Sequence, residues 1–160
     1  MHVSLIVLAG GVSNRFGTDK ALLDVGGVAL ISRVIGRASL VAEETIVVVN
    51  SHQRAADVGA ASGTGSHVVV DSFTGSGPLV GVATGLQHAR GELAVVLASD
   101  LPFVSPKVLE ALLRLCSREV EAAVPRWPNG FIEPLHAVYR TEPSLRAAVR
   151  TLDEGGARMM

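Results

Sequence analysis

The chain has 160 residues, 48% of them hydrophobic and 18% charged, and a net charge of −1. That length gives one domain, residues 1–160, with one substantial core, and the composition excludes a disordered chain. The near-neutral balance argues against nucleic-acid binding or membrane adhesion through a broad basic face, and a single cysteine, Cys116, leaves no internal disulfide.

The first element is an apolar run from Leu5 to Ala9, which reads as a buried strand. It stops at Gly10-Gly11, where the missing Cβ atoms permit a sharp turn and close approach of a ligand to the backbone. Free N–H groups there would form an anion-holding nest. Arg15 and Lys20 follow on the same loop, and both suit phosphate. Lys20 and Lys107 are the only lysines in an arginine-rich chain, so a lysine inside this loop stands out. An ordinary β-turn with two surface cations would suffice for an isolated Gly-Gly. Strand end, glycine pair, Arg and Lys together point to a polyphosphate site. The loop is not a Walker loop, because Thr18 and Asp19 separate Gly17 from Lys20, and the dinucleotide fingerprint is absent.

Further on, Leu30, Ile31, Val34 and Ile35 recur at helical spacing within residues 28–40. Thr45 to Val49 reads as a second strand ending at Asn50. Residues 54–61 form a weakly signalled helix, and 63–66 a turn. Val68 to Val70 is a third strand ending at Asp71. After a loop over 72–77, Pro78 starts a helix over 79–89. Leu93 to Ala98 is a fourth strand ending at Ser99-Asp100. Ser105-Pro106 caps a helix through Ser117, with Leu109, Leu112, Leu113 and Cys116 inward. Glu121 to Val124 and His136 to Tyr139 are short strands around a loop over 126–134. Pro143 opens a last helix that closes at Gly155-Gly156.

Strands alternate with helices, and the first four strands are near-continuous apolar runs. The expectation is a mostly parallel α/β sheet with helices on both faces, three layers deep. Ligands of such sheets bind beyond the carboxyl ends of the strands. Those ends are Gly10, Asn50, Asp71 and Asp100. Asp100 at a strand mouth suits Mg²⁺, which takes hard oxygen ligands from one or two carboxylates and from phosphates. Asp71 could accept from the N1–H and exocyclic amine of guanine; an Asx-turn at the strand end explains it nearly as well. No histidine pair has metal-binding spacing, and no serine sits in a nucleophile elbow. No apolar segment approaches transmembrane length, and the N-terminus lacks a signal-peptide pattern, so a cytoplasmic protein is expected.

The run Leu8-Ala9-Gly10-Gly11-x-x-x-Arg15-x-Gly17-x-x-Lys20-Ala21-Leu22-Leu23 resembles the signature loop of the molybdenum cofactor guanylyltransferases, nucleotidyltransferases with a Rossmann-like fold. Phe16 stands where that family usually has Met. Asp100-Leu101-Pro102-Phe103 resembles the family's metal-binding segment, with Ser99 in place of the usual Cys. Gly77-Pro78-Leu79-Val80-Gly81 resembles its helix start, which could face anions, and Glu133 to Tyr139 a segment on the acceptor side, with His136 a candidate contact. The resemblance implies that GTP is held by Leu8, Ala9, Gly10, Gly11, Lys20, Asn50 and Asp71. It implies Mg²⁺ on Asp100, and catalysis by Arg15, Lys20 and Asp100 without a protein nucleophile. The implied reaction joins GMP from GTP to the phosphate of molybdopterin. The alternatives are a CTP-dependent molybdopterin cytidylyltransferase, or transfer to another phosphorylated acceptor; family members using CTP tend to have Ala-Ala where Ala9-Gly10 stands. Relatives usually run on for a few dozen residues, adding a strand near the acceptor site. A sheet edge left uncovered there would favour a homo-oligomer.

Overall fold

The computed structural model describes residues 1–11, 19–116 and 119–155. Arg15, Phe16, Gly17, Ser117 and Gly156 lie outside the described residues. Six strands form one sheet: β1 (Val3–Leu8), β2 (Glu44–Val49), β3 (Ser66–Val70), β4 (Leu93–Ala98), β5 (Ala122–Ala123) and β6 (His136–Arg140). Their order is β3-β2-β1-β4-β6-β5. The first four run parallel, as their apolar runs predict; β6 pairs antiparallel with β4, and β5 antiparallel with β6. The helices are α1 (Leu30–Ala38), α2 (His52–Ser62), α3 (Pro78–His88), α4 (Pro106–Leu115) and α5 (Thr141–Asp153).

Alternate residues of each strand enter opposite layers, as a period of two requires. Val3, Leu5, Val7, Val47, Val49, Val95 and Leu97 pack on one face with Ile31 and Val34 of α1, Val58 of α2 and Leu109 of α4. Ile6, Ile46, Val48, Val69, Ala94 and Val96 face Val82 and Leu86 of α3 on the other. Leu79 and Ala83 of α3 then pack against Ala148 of α5, which completes that layer. Both faces are covered, so strands without a polar alternation are the expected kind.

Several boundaries and one cap depart from the sequence expectation; α4, expected through Ser117, ends at Leu115. The last helix begins at Thr141, two residues before Pro143. A proline within the first turn costs nothing there, because those N–H groups have no intrahelical partner. The strand expected over Glu121 to Val124 shrinks to Ala122–Ala123, since Pro125 follows and cannot donate to a ladder. Ser105 stands at the N-cap of α4, but its side chain makes no capping bond. Cys116 is buried, as expected of a core thiol.

Candidate functional site

The parallel strands end together, and a cavity of about 790 Å³ opens at that end. Leu8 and Gly10 contribute from β1, Asn50 from β2, Asp71 from β3 and Asp100 from β4, with Gly11 and Lys20 beside them. The opposite wall is the loop from Phe73 through Gly77 and the first turn of α3, including Pro78 and Gly81.

The sheet ladder explains why these residues converge. The Ala9 N–H donates to Val48 O at 2.8 Å, Asp71 N–H to Val49 O at 2.9 Å, and Ser99 N–H to Leu8 O at 3.1 Å. These rungs close the strand pairs, and Gly10, Asp71 and Asp100 meet the cavity at or just beyond them. Ala9 differs from its neighbours: it is buried and packs into the α1–α4 layer, so its side chain is not part of the cavity wall. Gly10 passes close to β2, where an added Cβ would lie 3.7 Å from Asn50 Cβ; at Gly11 nothing lies within 4 Å. That open space lets a ligand meet the backbone directly.

Lys20 opens a short 3₁₀ turn over Lys20–Leu22, capped by Asp19, whose Oδ1 accepts from Ala21 N–H at 3.0 Å. Among the described residues no ion pair involves Lys20. Asp100 is exposed at the head of β4. Asp71 is different: its Oδ1 is buried and has no hydrogen-bond partner among the described residues, and burial pushes its carboxyl pKa up. A Cβ at Gly81 would approach Leu8 Cδ2 to 3.3 Å and Asp71 Oδ1 to 3.7 Å, so glycine there lets α3 close against the carboxylate. Pro78 heads α3, preceded by Gly77 at φ +90°, and this helix end faces the cavity.

His136 is not among the cavity-lining residues, whereas its neighbour Leu135 is. The ring sits opposite Leu97 with Nε2 buried and unpartnered. Burial pulls its pKa down, against the charge of Glu133. The sequence also left Asp19 and Arg54 unremarked. Arg54 Nε donates to Asp19 Oδ2 at 2.8 Å, its Nη2 contacts the same oxygen, and its Nη1 donates to Asn50 Oδ1 at 3.1 Å. Their only sequence sign is the Asp19-Lys20 adjacency; the contact itself spans 35 positions.

A cavity at the carboxyl end of a parallel sheet, with a glycine turn, a lysine and two carboxylates, has the chemistry to take a charged, phosphate-bearing ligand. The family model described as the MobA-like NTP transferase domain matches residues 5–160. A probable molybdenum cofactor guanylyltransferase of Natronomonas pharaonis is 37% identical over 156 residues, 97% of this chain and 76% of that protein. One from Pyrococcus furiosus is 37% identical over 155 residues, 94% of this chain and 73% of that protein. Among solved structures, molybdopterin-guanine dinucleotide biosynthesis protein A of Archaeoglobus fulgidus superposes with a TM-score of 0.79 at 28% identity, covering 97% of this chain and 75% of that one. The 2-C-methyl-D-erythritol 4-phosphate cytidylyltransferase of Thermus thermophilus shares the fold, with a TM-score of 0.71 at 24% identity over 97% of this chain and 78% of that one. The match along nearly the whole sequence and the shared three-layer sheet together make this chain a member of the MobA-like NTP transferase family, and so a nucleotidyltransferase.

Proposed function

We propose that this enzyme transfers GMP from GTP to the terminal phosphate of molybdopterin and releases pyrophosphate. The observation that carries the reading is the presence, in one cavity of a chain of this family, of Lys20 and of an Asp71 carboxylate whose Oδ1 is buried, neither with a polar partner among the described residues. Lys20 and the Gly10-Gly11 backbone suit a triphosphate, and the guanidinium of Arg15, in the same sequence motif, has the chemistry to join them. Asp71 Oδ1 needs a donor, and guanine offers two on one edge, N1–H and the exocyclic amine. Leu8 and Ala9 would place the backbone beside the nucleoside, and Asn50 would hold it at the head of β2.

An acceptor phosphate oxygen attacks the α-phosphorus of GTP. The new P–O bond forms as the bond between that phosphorus and the bridging oxygen breaks, and pyrophosphate leaves with the electron pair. No side chain forms a covalent intermediate; the protein positions the two phosphates and neutralises charge. The donor set fits Mg²⁺: two carboxylates, Asp71 and Asp100, line the cavity, and Asp100 is exposed. Mg²⁺ takes one or two carboxylates and completes its shell with phosphates and water. Asp100 would hold it. When bound, the ion neutralises phosphate charge.

Among the described residues no helix is long and apolar enough to cross a membrane. We place the enzyme in the cytoplasm; with Cys116 its single cysteine, the fold needs no internal disulfide. Self-association through an open sheet edge, β3 or β5, belongs to the same reading, and sedimentation velocity measures it. The central test is pyrophosphate release from each nucleoside triphosphate with Mg²⁺ and molybdopterin. Release from GTP that requires the acceptor is expected. Preference for CTP, or no release with any nucleotide, would overturn the proposal.

A further inference from the structure

We propose that Arg54, which does not itself line the cavity, is the positioning residue that sets the charge of the Lys20 turn and the orientation of the Asn50 amide. This rests on the reading of the cavity as a GTP site. Arg54 and Asp19 are largely sheltered, with side chains 13% and 17% exposed. Two Arg54 donors end on Asp19 Oδ2, while Oδ1 caps the turn through Ala21 N–H. The carboxylate adjacent to Lys20 is thereby fully engaged on the side of α2. Lys20 is left as a net cation facing the cavity. Without Arg54, a bare carboxylate would stand one residue from the lysine that meets the triphosphate, and its charge would repel the ligand.

The third contact fixes an amide. A guanidinium has donors only, so the Asn50 atom it touches is the carbonyl oxygen. The Asn50 NH₂ is then turned away from Arg54, on a residue that lines the cavity. Asn50 therefore presents a donor to the ligand, and its target is an acceptor atom of the nucleoside, not a hydroxyl or amine hydrogen. One side chain from α2 thus ties the loop after β1 to the head of β2.

The test is calorimetric titration of the full chain with Mg²⁺-GTP, with thermal melts alongside. Arg54→Ala should weaken GTP about tenfold, the scale of losing an outer-shell partner. Adding Asp19→Asn to Arg54→Ala should recover most of that loss, because the repelling charge is gone while the amide oxygen still caps Ala21. A residue needed only for folding would show its loss and recovery in the melting temperature, whereas a charge effect on the ligand persists in variants that melt like the parent. Arg54→Lys should neutralise Asp19 but cannot also hold Asn50, so about a threefold loss remains, the scale of one hydrogen bond. Parental affinity in both Arg54 variants, or an Arg54→Ala loss untouched by Asp19→Asn, would overturn the proposal. If Arg54→Ala does not fold, parental affinity in Arg54→Lys overturns it alone. Absence of GTP binding by the parent chain would overturn the nucleotide reading itself.

Discussion

Asp71 is held at a cost to the empty protein. Its Oδ1 has lost water without gaining a partner, and burial raises its pKa above the usual carboxylate value of 3.8. A raised carboxyl pKa in the folded state weakens folding as pH climbs past the unfolded value. Asp71→Ala should therefore leave the ligand-free melting temperature at pH 7 equal or higher, while the stabilisation by GTP and the preference for GTP over other triphosphates fall away. A variant that melts lower yet keeps its GTP preference would move base recognition elsewhere. Lys20→Ala should cut turnover by roughly two orders of magnitude without lowering the melting temperature, the scale of one donor to a charged transition state. Asp100→Asn should abolish the Mg²⁺ dependence of pyrophosphate release and preserve metal-free nucleotide binding. At this scale the sequence was readable wherever a functional group ends a strand: Gly10, Asn50, Asp71 and Asp100 all reach the cavity. Ala9, inside the same motif, points into the core, because alternation along a strand sends neighbouring side chains to opposite sides. Arg54 was unreadable because no local pattern announces a partner 35 positions away.

Among the elements with an unbroken apolar run, β4 was legible to the residue over Leu93–Ala98, while β1 starts earlier, at Val3, and β3 at Ser66. Those whose limits are set by tertiary pairing were not. β5 keeps only the residues that find Tyr139 and Val138 opposite them. The weakly signalled α2 runs longer than its pattern, from His52 to Ser62, because Val58 is anchored in the core while most of its surface stays polar. The contact of α3 with β1 is tighter than any propensity reveals. A Cβ at Gly85 would lie 2.4 Å from Ile6 Cγ2, so the helix sits on the sheet only because that position is glycine. Gly85→Ala should destabilise the fold by about 1–3 kcal/mol in urea titration, the usual penalty of overpacking. The same substitution in an Ile6→Ala background should cost less, since the obstructing methyl is removed. An undiminished penalty there would place the conflict somewhere other than the α3–β1 contact.

At the scale of the molecule, polar interactions gather at the strand starts, opposite the cavity. Ser4 Oγ donates to Glu44 at 2.5 Å and accepts from Gly91 N–H at 2.9 Å. Arg90 donates to Glu44 through both backbone and side chain, and Thr141 Oγ1 donates to Gly91 O at 2.6 Å. Burial alone would raise the Glu44 pKa, but the Ser4 and Arg90 hydrogen bonds and the Arg90 charge outweigh it and hold it at about 2. A depressed carboxyl pKa adds stability above the unfolded value of 4.5, and that stability drains away as pH falls towards 2. Glu44→Gln should accordingly lower the urea midpoint at pH 7 and have a much smaller effect near pH 2; equal losses at both values would assign Glu44 a packing role. Strands of six residues set this knot roughly 20 Å from the strand heads. Perturbations that far apart, with no shared partner, add in free energy. The sheet is thus a spacer between two separately adjustable ends. Tolerance of heat or acid can be retuned at the lower end of this scaffold without disturbing the geometry that meets the ligand at the upper one.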